Sequence, residues 1–329
     1  MKETFKAFIV NKADTDFTTG IQNLTFDKLP EADVLIKVAY SSINYKDGLA
    51  SIPNGKIVST YPFVPGIDLA GTVVSSADPR YQEGDLVIAT SYEIGVSHYG
   101  GFSEYARIPG DWIVPLPDNL SLKEAMIYGT AGFTAALSIQ RLEENGLTPE
   151  KGKVLVTGAT GGVGSLAVAM LAQRGYDVAA STGKASEQEF LLKLGAKEIL
   201  SREEVFNGKI KALDKKIWAG AVDPVGGEQL ASILSKLQYD GSVAVSGLTG
   251  GGNVPATVFP FILRGINLLG IDSVYCPMDV REKLWSRMAS DLKPKLLEDI
   301  AKEISLEELP EALSVILKGQ AKGRFVVKI

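Results

Sequence analysis

The run VLVTGATGGVGSLAVAML, residues 154–171, constrains the fold more than any other part of the chain. It opens with apolar, β-branched residues suited to a buried strand. Gly158, Gly161, Gly162 and Gly164 follow, and an apolar helical stretch begins at once. Glycines here permit a tight turn and let the backbone approach a pyrophosphate, while the helix N-terminus offers unpaired N–H groups and a positive dipole end. The spacing is G-x-x-G-G-x-G and not the strict G-x-G-x-x-G, so in isolation it marks only a sharp strand-to-helix turn. The following segments give it weight. DVAAST precedes SEQEFLLKLG, WAGAVDPV precedes GEQLASILSKL, and GSVAVSGL and LLGIDS complete the series. Strands alternating with helices build βαβ units, which predicts an α/β fold with a doubly wound parallel sheet and a dinucleotide at its glycine loop.

The end of the next strand selects the nucleotide. An NAD site usually places a carboxylate there for the ribose 2′-hydroxyl. This strand ends instead in Ser181, Thr182, Gly183 and Lys184, and Arg202 follows the third strand. Hydroxyls, backbone N–H groups and cations suit a 2′-phosphate, so NADPH is the expected cofactor. The alternative for Lys184 is a solvated loop lysine.

The N-terminal part reads differently. FKAFIV, VLIKVAYS, GTVVSS, DLVIAT, SEYARI and WIVPLP are short strand-like runs separated by Gly, Pro and Asp, which suggests a barrel-like or sandwich-like domain. The stretch LSLKEAMIYGTAGFTAALSIQRL predicts a long helix interrupted near Gly129 and Gly132. The C-terminal strand GRFVVKI fits the β-rich part better than a finished α/β sheet. We therefore expect two domains, a β-rich one from 1–125 and 276–329 and a dinucleotide-binding one from 126–275.

Composition removes several functions. Net charge is −5 and no Lys/Arg block occurs, which argues against nucleic acid as a partner. Cys276 is the only cysteine and His98 the only histidine, so an intrachain disulfide is impossible and a zinc site is hard to build. A Ser-His or Cys-His hydrolase would depend on His98 alone. No apolar run reaches membrane-spanning length, and MKETFKAFIV lacks a signal peptide's apolar core, so the expectation is a cytoplasmic protein with no membrane association.

SSINYKDGLAS, residues 41–51, holds the remaining polar candidates. Tyr45 is a candidate catalytic donor, since a tyrosine hydroxyl ordinarily carries its proton at neutral pH; the alternative is aromatic packing on the sheet. Asn44 is the second catalytic candidate, to orient substrate, or else it caps a turn. Asp47 reads as a helix-start residue and Lys46 as solvated. Arg324 is left between an acidic substrate group, such as a CoA phosphate, and a surface ion pair.

Together SSINYKDGLA, PFVPGIDLAGTV, HYGGFSEYARIPGDWIVPLP, MIYGTAGFTAALS, VTGATGGVGS, WAGAVDPVGG, FPFILRGINLLGIDSV and AKGRFVVKI resemble the zinc-independent branch of the medium-chain dehydrogenase/reductase superfamily. Within it the chain is similar to the quinone oxidoreductase family, close to the acryloyl-CoA reductase group, over essentially its whole length. The resemblance implies a GroES-like domain beside a Rossmann domain, a homodimer, and NADPH-dependent reduction of an activated C=C bond or a quinone. It also implies nucleotide contacts at Tyr45, at Thr160, Gly161, Gly162 and Val163, at Thr182, Gly183 and Lys184, and at Arg202, Leu248, Ile262 and Ser273. Gly319 stands where the group is expected to have Asn, so a side-chain contact is lost there. Asp68 stands where a zinc enzyme would have His, and no metal site is expected. The leading function is reduction of a short enoyl-CoA such as acryloyl-CoA. The alternatives are a quinone oxidoreductase and a nucleotide-binding protein without turnover.

Overall fold

The structure, a computed structural model, describes residues 3–13 and 16–329. It divides into two compact units. One comprises the chain up to Thr130 together with Val274–Ala289 and Glu298–Ile329; the other comprises Ala131–Ser273 and Ser290–Leu297.

The first unit begins with strands β1 (Thr4–Ala13), β2 (Asp16–Thr25) and β3 (Val34–Ser42), the short helix α1 (Tyr45–Ala50), and strands β4 (Asp68–Ser76), β5 (Leu86–Thr90), β6 (Tyr105–Ile108) and β7 (Ile113–Pro115). Helix α2 (Leu122–Glu144) follows, and its backbone leaves helical geometry at Gly129 (φ 48°, ψ −154°). The break expected near Gly129 is present, whereas Gly132 continues the helix. The chain passes to the second unit one residue after that break.

The second unit contains β8 (Val154–Val156), α3 (Gly162–Gln173), β9 (Val178–Ser181), α4 (Gln188–Lys193), β10 (Glu198–Leu200), α5 (Arg202–Val205), β11 (Trp218–Asp223), α6 (Gly227–Lys236), β12 (Leu237–Val245), α7 (Phe259–Arg264) and β13 (Asn267–Gly270). Its six strands are all parallel in the order β10-β9-β8-β11-β12-β13, the order of a dinucleotide-binding Rossmann sheet. Central strands β8, β9 and β11 are buried at every residue, which is why they read as continuous apolar runs with no alternation. Helix α3 is buried from Gly164 to Leu171, hence its apolar residues on all sides. Leu155, Ala179, Ala221, Leu230, Ile233 and Val243 form the core on one face of the sheet.

The chain returns to the first unit with α8 (Met278–Met288), β14 (Ala301–Ser305), α9 (Leu309–Leu317) and β15 (Arg324–Lys328). β15 lies between β14 and β3 in the sheet β14-β15-β3-β4-β5-β7, where β6 also pairs with β3. Phe8, Ile43, Phe63, Phe102, Leu309, Leu313 and Val327 pack one core there, and Ile36, Leu69, Val87, Ile108 and Ile113 another. The excursion Ser290–Leu297 has no counterpart in the sequence reading; Leu292 and Leu297 are buried and Asp291 pairs with Arg174 (3.4 Å). Among the described residues no helix is long and apolar enough to cross a membrane.

Candidate active site

The glycine loop lies at the C-terminal end of β8. Helix α3 starts at Gly162, and its N-cap, Gly161, has no side chain with which to satisfy the first-turn N–H groups. Those donors remain for a ligand anion. Gly164 lets the helix sit tight on the turn: a Cβ there would lie 2.7 Å from Ala159 Cα and nearer still to the Gly158 carbonyl. The loop after β11 backs this turn. Asp223, fully buried, accepts from Thr157 Oγ1, from the Gly226 N–H (2.9 Å) and from the Val225 N–H (3.2 Å). Burial pushes its carboxyl pKa up, and these three bonds oppose that shift.

The end of β9 completes the cluster. Thr160 Oγ1 and Thr182 Oγ1 are 3.4 Å apart, and the Lys184 N–H donates to Thr182 Oγ1 (3.0 Å). Arg202 lies over Gly183, where a Cβ would come within 2.6 Å of Nε. Burial lowers the Lys184 pKa, Glu187 opposes the shift, and Arg202 adds to it. Two cations brought together with hydroxyls and N–H groups favour an anion between them. These residues fit a dinucleotide. Thus Thr160, Gly161, Gly162, Val163, Thr182, Gly183, Lys184 and Arg202 share one end of the sheet. Leu248 joins them from the loop after β12, its Cα 3.4 Å from the place of a Gly226 Cβ. Ile262 stands exposed on α7, and Ser273 is bonded by Thr134 Oγ1 of α2 (2.9 Å).

Tyr45 and Asn44 belong to the first unit. Tyr45 is the first residue of α1 and half of it is exposed, which leaves its ring and hydroxyl available. Asn44 is the α1 N-cap, the capping alternative of its two expected fates. Its Nδ2 donates to Asp68 Oδ2 (2.7 Å) and its Oδ1 accepts from Arg324 Nη1 (3.2 Å), so the amide is engaged at both ends inside the protein. Asp47 accepts from the Asn44 N–H (2.7 Å) and the Ile67 N–H (2.9 Å), which stabilises the start of the helix. Burial first, and the neighbouring Asp68 second, push its pKa up to about 7.

Arg324 is corrected outright. It meets neither a substrate anion nor a surface partner, being only 3% exposed. Its guanidinium donates to Ile127 O (3.1 Å), Ile43 O (2.9 Å), Asn44 Oδ1 (3.2 Å) and Ser42 Oγ (2.8 Å), with Asp68 at 3.8 Å. His98 is held by the Arg107 carbonyl (2.6 Å) and by the edge of Trp112, and Cys276 is buried. Hydrogen bonds from Ser97 and then Tyr275 hold the Glu93 carboxyl below its usual range, with Lys46 adding a smaller attraction.

The sequence reading missed Thr130 and Ser91, which meet Asp68 directly and through Thr130 respectively. It also missed Asp223. For the charged members Asp68, Asp223 and Arg324 the signals were present but faint: a carboxylate inside the apolar strands of PGIDLAG and WAGAVDPV, and one arginine opening the apolar FVV.

Residues 30–118 match the family described as alcohol dehydrogenase GroES-like domain, and residues 162–290 the family described as zinc-binding dehydrogenase. The Bacillus subtilis (strain 168) protein named "Putative quinone oxidoreductase YhfP" is 65% identical over 330 residues, covering 100% of both chains. The chain belongs to the medium-chain dehydrogenase/reductase family. A crystal structure of YhfP with NAD bound superposes with a TM-score of 0.98 over 99% of each chain. Another family member, "Acrylyl-CoA reductase AcuI" of Ruegeria pomeroyi, is 48% identical over 99% of both chains. The yhdH oxidoreductase of Salmonella enterica, solved in complex with NADP, is 46% identical with a TM-score of 0.96, over 98% of this chain and 99% of that one.

The family description mentions zinc, and the residues here do not fit it. Asp68 already accepts from Ser42, Asn44 and Thr130, His98 is bonded to a carbonyl, and among the described residues no group of three or more His, Cys, Asp or Glu is arranged to hold a metal.

Proposed function

We propose that this protein is an NADPH-dependent, zinc-free reductase of an electron-poor conjugated carbonyl compound, with a short enoyl-CoA such as acryloyl-CoA as substrate. The observation that carries the reading is the full-length similarity to an acrylyl-CoA reductase, combined with a β9 end whose Ser181, Thr182, Gly183 and Lys184 include no carboxylate and which has Arg202 of α5 beside Gly183. When bound, the nicotinamide supplies a hydride. The protein's part is to bind, orient and protonate. The α3 N-terminus and the glycine loop hold the pyrophosphate, and Lys184 and Arg202 hold the 2′-phosphate. Reduction of an enoyl thioester builds negative charge on the thioester oxygen, and the α-carbon then takes a proton. Tyr45 Oη is the group we assign to that charge or proton. Asn44 positions the start of α1 and does not touch substrate. The protein works in the cytoplasm as a homodimer. Support for the dimer is the edge strand β13 beside the exposed side chains of Val258, Phe259, Ile262, Leu263 and Leu268.

Oxidation of NADPH against a panel of enoyl-CoAs and quinones, repeated with NADH, tests this. We expect kcat/KM to be greatest for acryloyl-CoA with NADPH. The second reading, a quinone oxidoreductase, is favoured by the name of the 65% identical relative, and a higher kcat/KM for an ortho-quinone would establish it. Removing either cation as Lys184→Ala or Arg202→Ala should raise KM for NADPH by about 10–100-fold, the worth of a charge-assisted bond of about 1.5–3 kcal/mol, and leave KM for NADH unchanged. Equal use of both nucleotides by the wild type would refute the NADPH assignment; the NAD in the YhfP crystal makes that comparison necessary. Tyr45→Phe should lower kcat on the enoyl-CoA, and unchanged turnover would remove Tyr45 from the chemistry.

A further inference from the structure

The first unit contains a buried polar cluster that neither nucleotide binding nor the proposed chemistry uses directly. Four donors converge on one carboxylate. Ser42 Oγ (2.7 Å), Asn44 Nδ2 (2.7 Å) and the Thr130 N–H (2.9 Å) donate to Asp68 Oδ2, and Thr130 Oγ1 (2.6 Å) donates to Oδ1. Because Thr130 gives its only hydroxyl proton to Asp68, the 2.9 Å contact between Ser91 Oγ and Thr130 Oγ1 has Ser91 as donor. Ser91 and Tyr92 both lie in the left-handed region (φ 66° and 48°), a costly conformation for two non-glycine neighbours. Asp68 is fully buried and Arg324 nearly so.

Two pieces of backbone meet in this cluster. One is the N-cap of α1, immediately before Tyr45. The other is the break in α2, where Asp68 takes the Thr130 N–H and Arg324 takes the Ile127 carbonyl. Only an ionised carboxylate can accept all four donors. An asparagine would turn an amide donor toward them and leave Arg324 without its counter-charge.

We infer that Asp68 is a positioning residue for the proposed reaction, locking the Asn44–Tyr45 turn to the break in α2 so that the Tyr45 hydroxyl is held in place. The inference rests on the function proposed above. Hydrogen bonds this dense rigidify a site, and a ring on a loosened six-residue helix would lose the geometry that proton transfer needs.

The test uses the full chain with NADPH and acryloyl-CoA. Asp68→Asn disrupts both the charge and the bonds and risks misfolding, so the main variant is Thr130→Val, which removes one donor and keeps the shape. Thr130→Val should lower kcat by about tenfold or more, with the Kd for NADPH changed by less than about twofold. Thr130→Ser, which keeps the hydroxyl, should restore kcat. Tyr81→Phe is the stability control: it deletes a buried hydroxyl bonded to Ile113 O (2.8 Å) elsewhere in the unit, and should lower Tm while kcat stays. Amide hydrogen exchange across residues 44–50 should accelerate in Thr130→Val and not in Tyr81→Phe. Retained kcat in Thr130→Val, failure of Thr130→Ser to restore it, or a parallel loss in Tyr81→Phe would each overturn the inference. If the wild type turns over no substrate of the panel, the functional reading fails by itself. Exchange then decides the inference: unchanged protection at 44–50 in Thr130→Val overturns the link, and accelerated exchange supports it.

Discussion

Gly129 is the most demanding position in the chain, and Gly129→Ala gives the sharpest test of how α2 is built. Its φ of 48° and ψ of −154° lie where only glycine is comfortable, and placing a Cβ there costs about 1–3 kcal/mol. The steric term adds to this. The new Cβ would sit 2.5 Å from Asp68 Oδ2, 2.9 Å from Arg324 Nη2 and closer still to Ser42 Oγ. Ordinary contact needs nearly 1 Å more, and the neighbours cannot retreat without breaking the Ser42–Asp68 bond (2.7 Å) or the Arg324–Ser42 bond (2.8 Å). A bond to a charged group is worth about 1.5–3 kcal/mol. The two terms together predict a loss of about 2.5–6 kcal/mol, a large part of the about 5–15 kcal/mol that holds an ordinary domain folded. Urea unfolding followed by tryptophan fluorescence is a suitable assay, because Trp112 and Trp285 report on the first unit. Gly20→Ala, with nothing within 4 Å of its Cβ, is the control and should change stability by less than about 0.5 kcal/mol. A loss below about 1 kcal/mol for Gly129→Ala would show that the cluster yields easily and would refute the reasoning.

Three further outcomes are expected. Asp47 has a folded pKa pushed up to about 7 by burial and Asp68, above its value in the unfolded chain. Between about pH 4 and 7 the folded state therefore holds the extra proton, and this group's contribution to stability is lost as pH rises, by at most about 1.4 kcal/mol per unit. Urea midpoints at pH 5 and pH 7.5 should differ less in Asp47→Asn than in the wild type, and an equal difference would discount the shift. Gly164→Ala favours the helix by propensity but drives α3 off the turn at Ala159, so NADPH affinity measured by fluorescence titration should fall more than about tenfold; an unchanged Kd would contradict the close approach. Leu268→Lys on β13 should convert a dimer to a monomer in light scattering with secondary structure retained, and a wild type that is already monomeric would remove the dimer from our reading.

Much of the second unit was legible in the sequence because its information is local. A strand, a glycine turn and a helix are neighbours in the chain, so the strand-to-helix turn at GATGGVG could be read directly. The first unit was less legible. Asn44 and Asp47 were placed at a helix start, which short-range capping rules describe, but the side-chain direction of Asn44 was not available from them. Arg324 was left between an acidic substrate group and a surface ion pair because its partners Ile43, Asn44 and Ile127 are far away in sequence. Ser91 and Thr130 offered no pattern, since a hydroxyl in a strand end or a helix is commonplace. The excursion Ser290–Leu297 depends on the burial of Leu292 and Leu297, which periodicity over so short a segment does not express.

By itself, then, the sequence determined the alternation of strands and helices, the glycine turn, and the shortage of Cys and His that argues against a metal. These follow from backbone sterics, from patterns within a few residues, and from counting. Tertiary structure alone decided what surrounds the carboxylate at 68: Ser42, Asn44 and Thr130 donate to it, with Arg324 supplying the opposing charge. The physical reason is that a buried charge is tolerable only with partners on every side, and here they come from β3, from the N-cap of α1, from the break in α2 and from β15, which only folding brings together.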